Sequence, residues 1–302
     1  MSALAAGIRD GLKTIRYWQA QFALLNENGT QIDRKALLDA ARSLQPGFDE
    51  ILSSLHRDGV AVIADYWPRE RCGTARTEID RMMKEHPACI RHFSANSDKR
   101  MFGVETLGDC CATFHHDAFL KSVGEIEFGF ALYNLVTLGA RIDATTSNRG
   151  SGDGWHRDAF GYQFKAILYL CDVTEENGPF EYVPGSQKSW RAGLDGALGR
   201  YPVPPESRIA RESMDALVRQ RKIAPRHFEA KAGTVILANT AGVHGGAPLK
   251  SGLRYALTNY YYFPHQIGKS LVEKFQPLPP GKVDQFESFL VAEAKTLAQP
   301  TP

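Results

Sequence analysis

The stretch that most constrains this chain runs Gly150-Ser151-Gly152-Asp153-Gly154-Trp155-His156-Arg157-Asp158 and continues into Gln163-Phe164-Lys165-Ala166-Ile167-Leu168-Tyr169-Leu170. A glycine-rich loop leads into His-x-Asp, and an apolar strand comes next. In an extended chain successive side chains point to opposite faces. His156 and Asp158 therefore share a side, and Arg157 faces the other. One imidazole beside one carboxylate forms two-thirds of a 2-His-1-carboxylate metal site, an arrangement that leaves coordination positions open. Strands at short spacing, with turn signals such as Glu176-Asn177-Gly178-Pro179 between them, argue for an antiparallel β architecture.

His-x-Asp alone is weak evidence, and the chain holds a second copy, His115-His116-Asp117. The downstream residues separate the two copies. After the second comes Ala118-Phe119-Leu120-Lys121-Ser122-Val123, which reads as a helix with Asp117 as its N-cap. That leaves His115 and His116 on a loop, open to substrate contact. After the first lie a strand-like run, Thr234 to Asn239, then Val243-His244-Gly245-Gly246, and then Arg254 at the start of a strand running from Tyr255 to Phe263. His244 would supply the second imidazole. Arg254 would grip a carboxylate through paired hydrogen bonds. Strand alternation sets Tyr260 and Tyr262 on the Arg254 face, where they would line a substrate pocket.

Taken in order, His156-Arg157-Asp158, Asn177-Gly178-Pro179, Pro184-Gly185-Ser186, His244 and Arg254 give the chain a clear likeness. It resembles the phytanoyl-CoA dioxygenase-like family of Fe(II)/2-oxoglutarate-dependent oxygenases, over roughly residues 50 to 265. Asp58-Gly59-Val60-Ala61-Val62-Ile63 looks like the strand that opens the family's domain. The resemblance implies a double-stranded β-helix, a jelly roll related to the cupins, with flanking helices that are mostly N-terminal. It implies Fe(II) held by His156, Asp158 and His244, with 2-oxoglutarate chelating the metal, Arg254 on its distal carboxylate, and O2 as cosubstrate. Asn134 is the candidate for a polar contact to 2-oxoglutarate, and Lys165 a candidate to neutralise a carboxylate inside the barrel. Arg157 is carried as a substrate contact. Asp158 occupies the position that related halogenases leave small for chloride, so hydroxylation is the expected reaction. Gln187 departs from the histidine that many members carry after Pro-Gly-Ser, a position that is not an iron ligand.

Two other readings stay open on the residues alone. Two histidines and a carboxylate also bind Zn(II) with water in the open position, as in a metal-dependent hydrolase or isomerase. A metal-free β-barrel binding module would use the same histidines as ordinary buried polar groups.

Composition narrows the field. A hydrophobic share of 43% and a net charge of +2 over 302 residues fit a globular chain and give no electrostatic case for nucleic acid. No apolar stretch approaches the roughly 20 residues of a membrane span. Five cysteines with no metal-type Cys-x2-Cys pair point to a reducing, cytoplasmic compartment.

Leu4, Ile8, Leu12, Ile15, Trp18, Phe22 and Leu25 recur at the spacing of one helix face, which predicts an N-terminal helix packed on the barrel and ended by Gly29. Asp33 caps a second helix. Residues 1–49 are thus expected as helices on the core, and residues 50–302 as the oxygenase domain, in one structural unit with a C-terminal helix from about Val283. Residues 188–231 interrupt the strands and carry ten Lys/Arg against five Asp/Glu. A basic insertion between barrel strands suits a lid for an anionic small molecule carrying phosphate, carboxylate or a nucleotide.

Overall fold

The computed structural model describes residues 3–93, 96–145, 148, 150 and 154–297. Part of the glycine-rich approach, Ser151, Gly152 and Asp153, lies outside the described residues.

Three helices open the chain: α1 (Ala3–Asn28), α2 (Arg34–Leu44) and α3 (Phe48–Asp58). Asp33 caps α2 by accepting from the Ala36 amide at 3.0 Å, and Gly29 closes α1 by donating to Leu25 O at 2.7 Å. At the end of α3, Gly59 takes a left-handed φ of 81°, which a residue without Cβ adopts freely. The chain then turns directly into β1 (Val60–Ile63). Helix α4 (Arg69–Glu85) comes next, then β2 (Ile90–Phe93), β3 (Asp98–Phe102), α5 (Asp109–His115), α6 (Ala118–Phe128) and β4 (Tyr133–Asp143). The second half runs β5 (Trp155–His156), β6 (Phe164–Tyr169), β7 (Phe180–Tyr182), α7 (Ser189–Ala197), β8 (Arg208–Ile209), α8 (Arg211–Arg219), β9 (Arg226–Phe228), β10 (Val235–Asn239), β11 (His244–Gly246), β12 (Leu253–Tyr262), α9 (Lys269–Glu273) and α10 (Pro280–Leu297).

The strands build two antiparallel sheets. The larger has seven in the order β1-β10-β6-β12-β4-β3-β2, the smaller five in the order β8-β5-β11-β7-β9. Non-sequential neighbours in both sheets are the mark of a jelly roll. One face of the large sheet is covered by α2 to α6, whose apolar residues meet Leu168, Leu237 and Leu257 in the main core. The other face looks across to the small sheet, where Tyr169, Phe180, Tyr182 and Ile236 pack together. Alternation along β12 divides its residues between these layers. Tyr255, Leu257 and Tyr261 join the helix-side core, while Arg254, Ala256, Thr258 and Tyr260 face the space between the sheets.

The basic stretch 188–231 is more strand-like than its sequence suggests. Its β8 pairs with β5 through Trp155↔Ile209, and its β9 pairs with β7, so it widens the small sheet on both edges. Five of its ten Lys/Arg pair with carboxylates. Arg191 and Arg200 hold Asp195, Arg211 holds Glu181, Arg226 reaches Asp58, and Lys231 reaches Asp172. Short polar strands read poorly from sequence because edge strands need little apolar alternation.

Candidate active site

The register of the small sheet sets the first contact. His244 on β11 pairs directly with His156 on β5, and their rings lie 4.4 Å apart between centroids. Two residues beyond β5, the Asp158 amide donates to Thr240 O at 3.0 Å. That bond folds the chain end back beside β11. Asp158 Oδ1 then lies 3.6 Å from His156 Nε2 and Oδ2 lies 3.2 Å from His244 Nε2. One ligand atom from each of the three residues falls within 4.8 Å of the others. Among the described residues this is the cluster with metal-ligand geometry.

Orientation of the imidazoles matters as much as proximity. His156 Nδ1 lies 2.8 Å from Gly154 O, and His244 Nδ1 lies 3.0 Å from Gly242 O. A carbonyl oxygen only accepts, so each Nδ1 carries the proton and each Nε2 presents a lone pair to the cluster. Burial, then the neighbouring His156 ring, pulls His244 down to about 4, so it is neutral near pH 7. Burial alone would raise Asp158, but the Lys165 ammonium and the two imidazoles outweigh it and hold the carboxyl well below its usual range. Neutral imidazoles and an ionised carboxylate are the forms that bind a cation.

The cavity beside this cluster is lined by cations. Lys165 Nζ sits 2.7 Å from Asp158 Oδ2 and 4.1 Å from the Tyr260 ring centroid. Burial lowers the Lys165 ammonium, and the Asp158 carboxylate more than restores it, so the net shift is upward. Arg100 lines the same space and is locked to buried Asp98 by a double hydrogen bond, with Nη2 2.5 Å from Oδ2. Arg254 also lines it and is only 5% exposed. Among the described residues no carboxylate and no hydrogen bond holds its guanidinium. A buried cation without a partner is costly, so this position fits an anionic group in the cavity. Burial accordingly pulls its pKa down, although an arginine stays charged.

A second cleft opens on the outer side of Asp158. Its walls include Tyr17, Gln21 and Phe22 of α1, then Phe160, Tyr162, Ser207, Phe263, Gln266 and Lys274. Tyr17 meets Phe160 edge-on at 5.5 Å, and Phe22 lies 4.9 Å from Tyr162. Asp158 thus stands between a cationic inner cavity and an aromatic, amide-bearing outer cleft.

Several sequence expectations land elsewhere. Asn134 does not reach the cavity. It faces the helices, where its Nδ2 donates to His115 O at 2.8 Å. Arg157 turns inward, away from both spaces. It donates to Ser186 O at 2.8 Å and to Ala241 O, between the rings of Trp18 and Tyr201. Tyr260 lines the inner cavity, but a bulge follows it and Tyr262 packs against Phe275 at 6.2 Å. His115 ends α5 rather than lying on a loop, and its Nδ1 meets Thr137 Oγ1 at 2.8 Å. Burial, with help from the Lys282 ammonium, pushes it down to about 2. Asp117 caps α6 as the pattern predicts, accepting from Leu120 N at 3.0 Å. Of the basic insertion, only Pro205 and Ser207 reach the outer cleft. Gln187 reaches from beyond β7 to the carbonyls of His56 and Arg57 at the end of α3, so it braces that helix. Sequence reasoning missed Arg100, Thr258 and the α1 residues. Arg100 and Asp98 do alternate on β3, a faint signal of a buried pair.

The profile of the phytanoyl-CoA dioxygenase (PhyH) family matches residues 55–254. The chain belongs to that family. The matched span contains His156, Asp158, His244 and Arg254, and stops short of α1 and of the segment after β12. The phytanoyl-CoA dioxygenase fold also recurs among solved structures. The epimerase SnoN, in complex with Fe3+, alpha ketoglutarate and nogalamycin RO, is 15% identical with a TM-score of 0.57, over 77% of this chain and 90% of SnoN. EctD from S. alaskensis, with 2-oxoglutarate and 5-hydroxyectoine, is 16% identical with a TM-score of 0.55, over 71% of this chain and 75% of EctD. HygX from Streptomyces hygroscopicus, with nickel, 2-oxoglutarate and hygromycin B, is 20% identical with a TM-score of 0.50, over 70% of this chain and 86% of HygX. These likenesses establish the jelly-roll core with its flanking, mostly N-terminal helices. No match was found among curated proteins. No described helix is long and apolar enough to cross a membrane.

Proposed function

We propose that this chain is an Fe(II)- and 2-oxoglutarate-dependent dioxygenase that hydroxylates a C–H bond of a small-molecule substrate. The observation that carries the reading is a single cavity with two complementary ends. One end presents His156 and His244, with the Asp158 carboxylate immediately beside their Nε2 atoms. The other presents the unpaired guanidinium of Arg254. A dicarboxylate that chelates a metal at one end and needs an anchor at the other fits this arrangement of charge. The relatives crystallised with 2-oxoglutarate share the fold, which supports the choice of dicarboxylate.

When bound, Fe(II) and 2-oxoglutarate supply the oxidising chemistry: O2 and the cosubstrate yield succinate and CO2, with one oxygen atom passing to the substrate. The chain's own contribution is positional. His156 and His244, fixed by the Gly154 and Gly242 carbonyls, would hold the metal through Nε2. Asp158 completes the set and occupies the place a halide would need, which favours hydroxylation over halogenation. Arg254 would orient the cosubstrate through its distal carboxylate, while Lys165, beside Asp158, and Arg100 add positive potential to the cavity. The substrate would lie in the outer cleft against Tyr17, Phe22, Phe160 and Tyr162, with its polar groups met by Gln21, Gln266 and Lys274.

Anaerobic optical titration tests the site. Apo-protein given Fe(II) and then 2-oxoglutarate should develop a visible metal-to-ligand charge-transfer band. His156→Ala should abolish it. Arg254→Ala should demand on the order of 100-fold more 2-oxoglutarate, the scale for losing one member of a buried charge pair. Metal binding without the band would overturn the cosubstrate. A product that is an epimer or a ring-closed form, rather than one gaining an oxygen atom, would overturn hydroxylation.

A further inference from the structure

The apolar face of α1 is not wholly consumed by packing. Trp18 and Leu25 are buried, but Leu4, Ile8 and Leu12 are not. On α7 and its C-cap, Trp190, Leu194 and Leu198 repeat the pattern: each set is spaced i, i+4, i+8, the spacing of one stripe on a helix. These six side chains are 45 to 74% exposed and make up half of the large apolar residues exposed among the described ones.

The two stripes form one surface. The helices approach closely because glycines line the seam: a Cβ on Gly11 would come 2.8 Å from Ala197 Cβ, and one on Gly193 would come 2.4 Å from Ile15 Cγ1. Gly7 lies beside Ala197 and Ile15 beside Gly193, so the pair runs antiparallel. On each helix the exposed stripe is rotated from the seam in the same sense, by roughly a quarter turn at 100° per residue. In an antiparallel pair, equal rotations point to the same side. Leu4, Ile8 and Leu12 therefore lie next to Leu198, Leu194 and Trp190 on one flat apolar face. Scattered exposed leucines need no explanation, whereas a continuous patch marks a contact surface.

The rim identifies the partner. Arg9, Lys13 and Arg16 border the α1 stripe and share a shallow groove with Ile8 and Leu12. Across the face, Arg191 and Arg200 flank α7, both bound to Asp195, which is fully buried. The other acids of the two helices are Asp10, whose Oδ1 lies 3.7 Å from Arg9 Nε and so offsets one of the three rim cations, and Glu27 at the far end of α1. A second copy docked here would set cations against cations. An anionic bilayer surface meets both demands, with apolar side chains for the acyl boundary and cations for the headgroups. The exposed Trp190 suits the interfacial layer.

We propose that the α1/α7 face docks this protein onto membranes rich in anionic phospholipid, lying on the surface without spanning it. Co-sedimentation with phosphatidylcholine vesicles containing about one-third phosphatidylserine should pellet the full chain, and pure phosphatidylcholine should pellet far less. Trp18, Trp67 and Trp155 are buried, so a blue shift of tryptophan emission on binding should vanish in Trp190→Tyr. The double variant Ile8→Glu/Leu194→Glu should lose pelleting while retaining its far-ultraviolet spectrum. Neutralising the rim with Arg9→Gln/Lys13→Gln/Arg16→Gln should weaken binding about 100-fold. The proposal is overturned if the wild type does not pellet, or if either set of variants pellets as the wild type does. Concentration-dependent dimers that Ile8→Glu disrupts, without vesicle binding, would assign the face to a second copy instead.

Discussion

Lys165 Nζ lies 2.7 Å from Asp158 Oδ2, in a cavity where Arg254 has no partner among the described residues. In the metal-free protein this ammonium offsets the charge of the Asp158 carboxylate. Replacing it with methionine leaves Asp158 uncompensated. Removing one member of a fully buried pair costs about 3–5 kcal/mol, and partial solvent access at Asp158 brings that to about 2–3 kcal/mol. A bound dication supplies the same compensation. Lys165→Met should therefore lower unfolding stability strongly without metal and much less with saturating Mn(II). Urea unfolding in both states measures this, and an equal loss in both would show that Lys165 does not act through Asp158. At this scale the sequence is legible where period-two alternation governs. His156 and Asp158 share a side, and Arg254 and Tyr260 share another. Alternation cannot say which side is the cavity, so Asn134, one polar residue on a long strand, lies in the helix-side layer instead of the expected one. A bulge after Tyr260 ends the pattern before Tyr262.

At the scale of elements, α10 is fastened to the large sheet by a buried polar junction. Lys282 Nζ lies 2.6 Å from Glu105 Oε1, and both side chains are almost fully buried. Glu105 Oε2 accepts from the Thr137 amide at 3.0 Å, and Thr137 Oγ1 donates to Asn259 at 2.7 Å. The pair thus links the start of α10 to β4 and β12. Lys282→Met should destabilise the chain by about 3–5 kcal/mol, because Glu105 stays buried and unpaired. The double variant Lys282→Met/Glu105→Gln should recover most of that loss. Chemical denaturation of the four proteins gives the coupling, and additive losses would argue against a paired role. None of this junction could be read in advance, since its partners lie 177 positions apart. Helix α1 shows the opposite case. Its apolar period is plain, yet period reports only that a face is apolar and not how much of its length finds a surface. The barrel covers the face from about Trp18 onward, and the preceding turns pack on the glycine seam of α7.

For the whole molecule, the question is whether α1 is an appendage or a wall. The family match begins at residue 55 and ends at residue 254. Tyr17, Gln21 and Phe22 lie before it, and Phe263, Gln266 and Lys274 lie after it, yet both sets border the cleft outside Asp158. The family core would then set the reaction, and the flanks would set the substrate. Trp18 joins the two regions. It is completely buried, packs on Phe160 at 6.4 Å, and lies 5.9 Å from the Arg157 guanidinium, between the candidate ligands His156 and Asp158. If α1 and the barrel are one cooperative unit, Trp18→Ala should cost about 3–5 kcal/mol, the range for emptying a large aromatic site. Native-state hydrogen exchange resolves the matter residue by residue. Amides in the second half of α1 should then exchange with the same opening free energy as those of β12, and both should fall together in the variant. Exchange through α1 at much lower free energy, with β12 unchanged by the substitution, would make the helix a separable cover and leave the barrel alone responsible for the site's geometry.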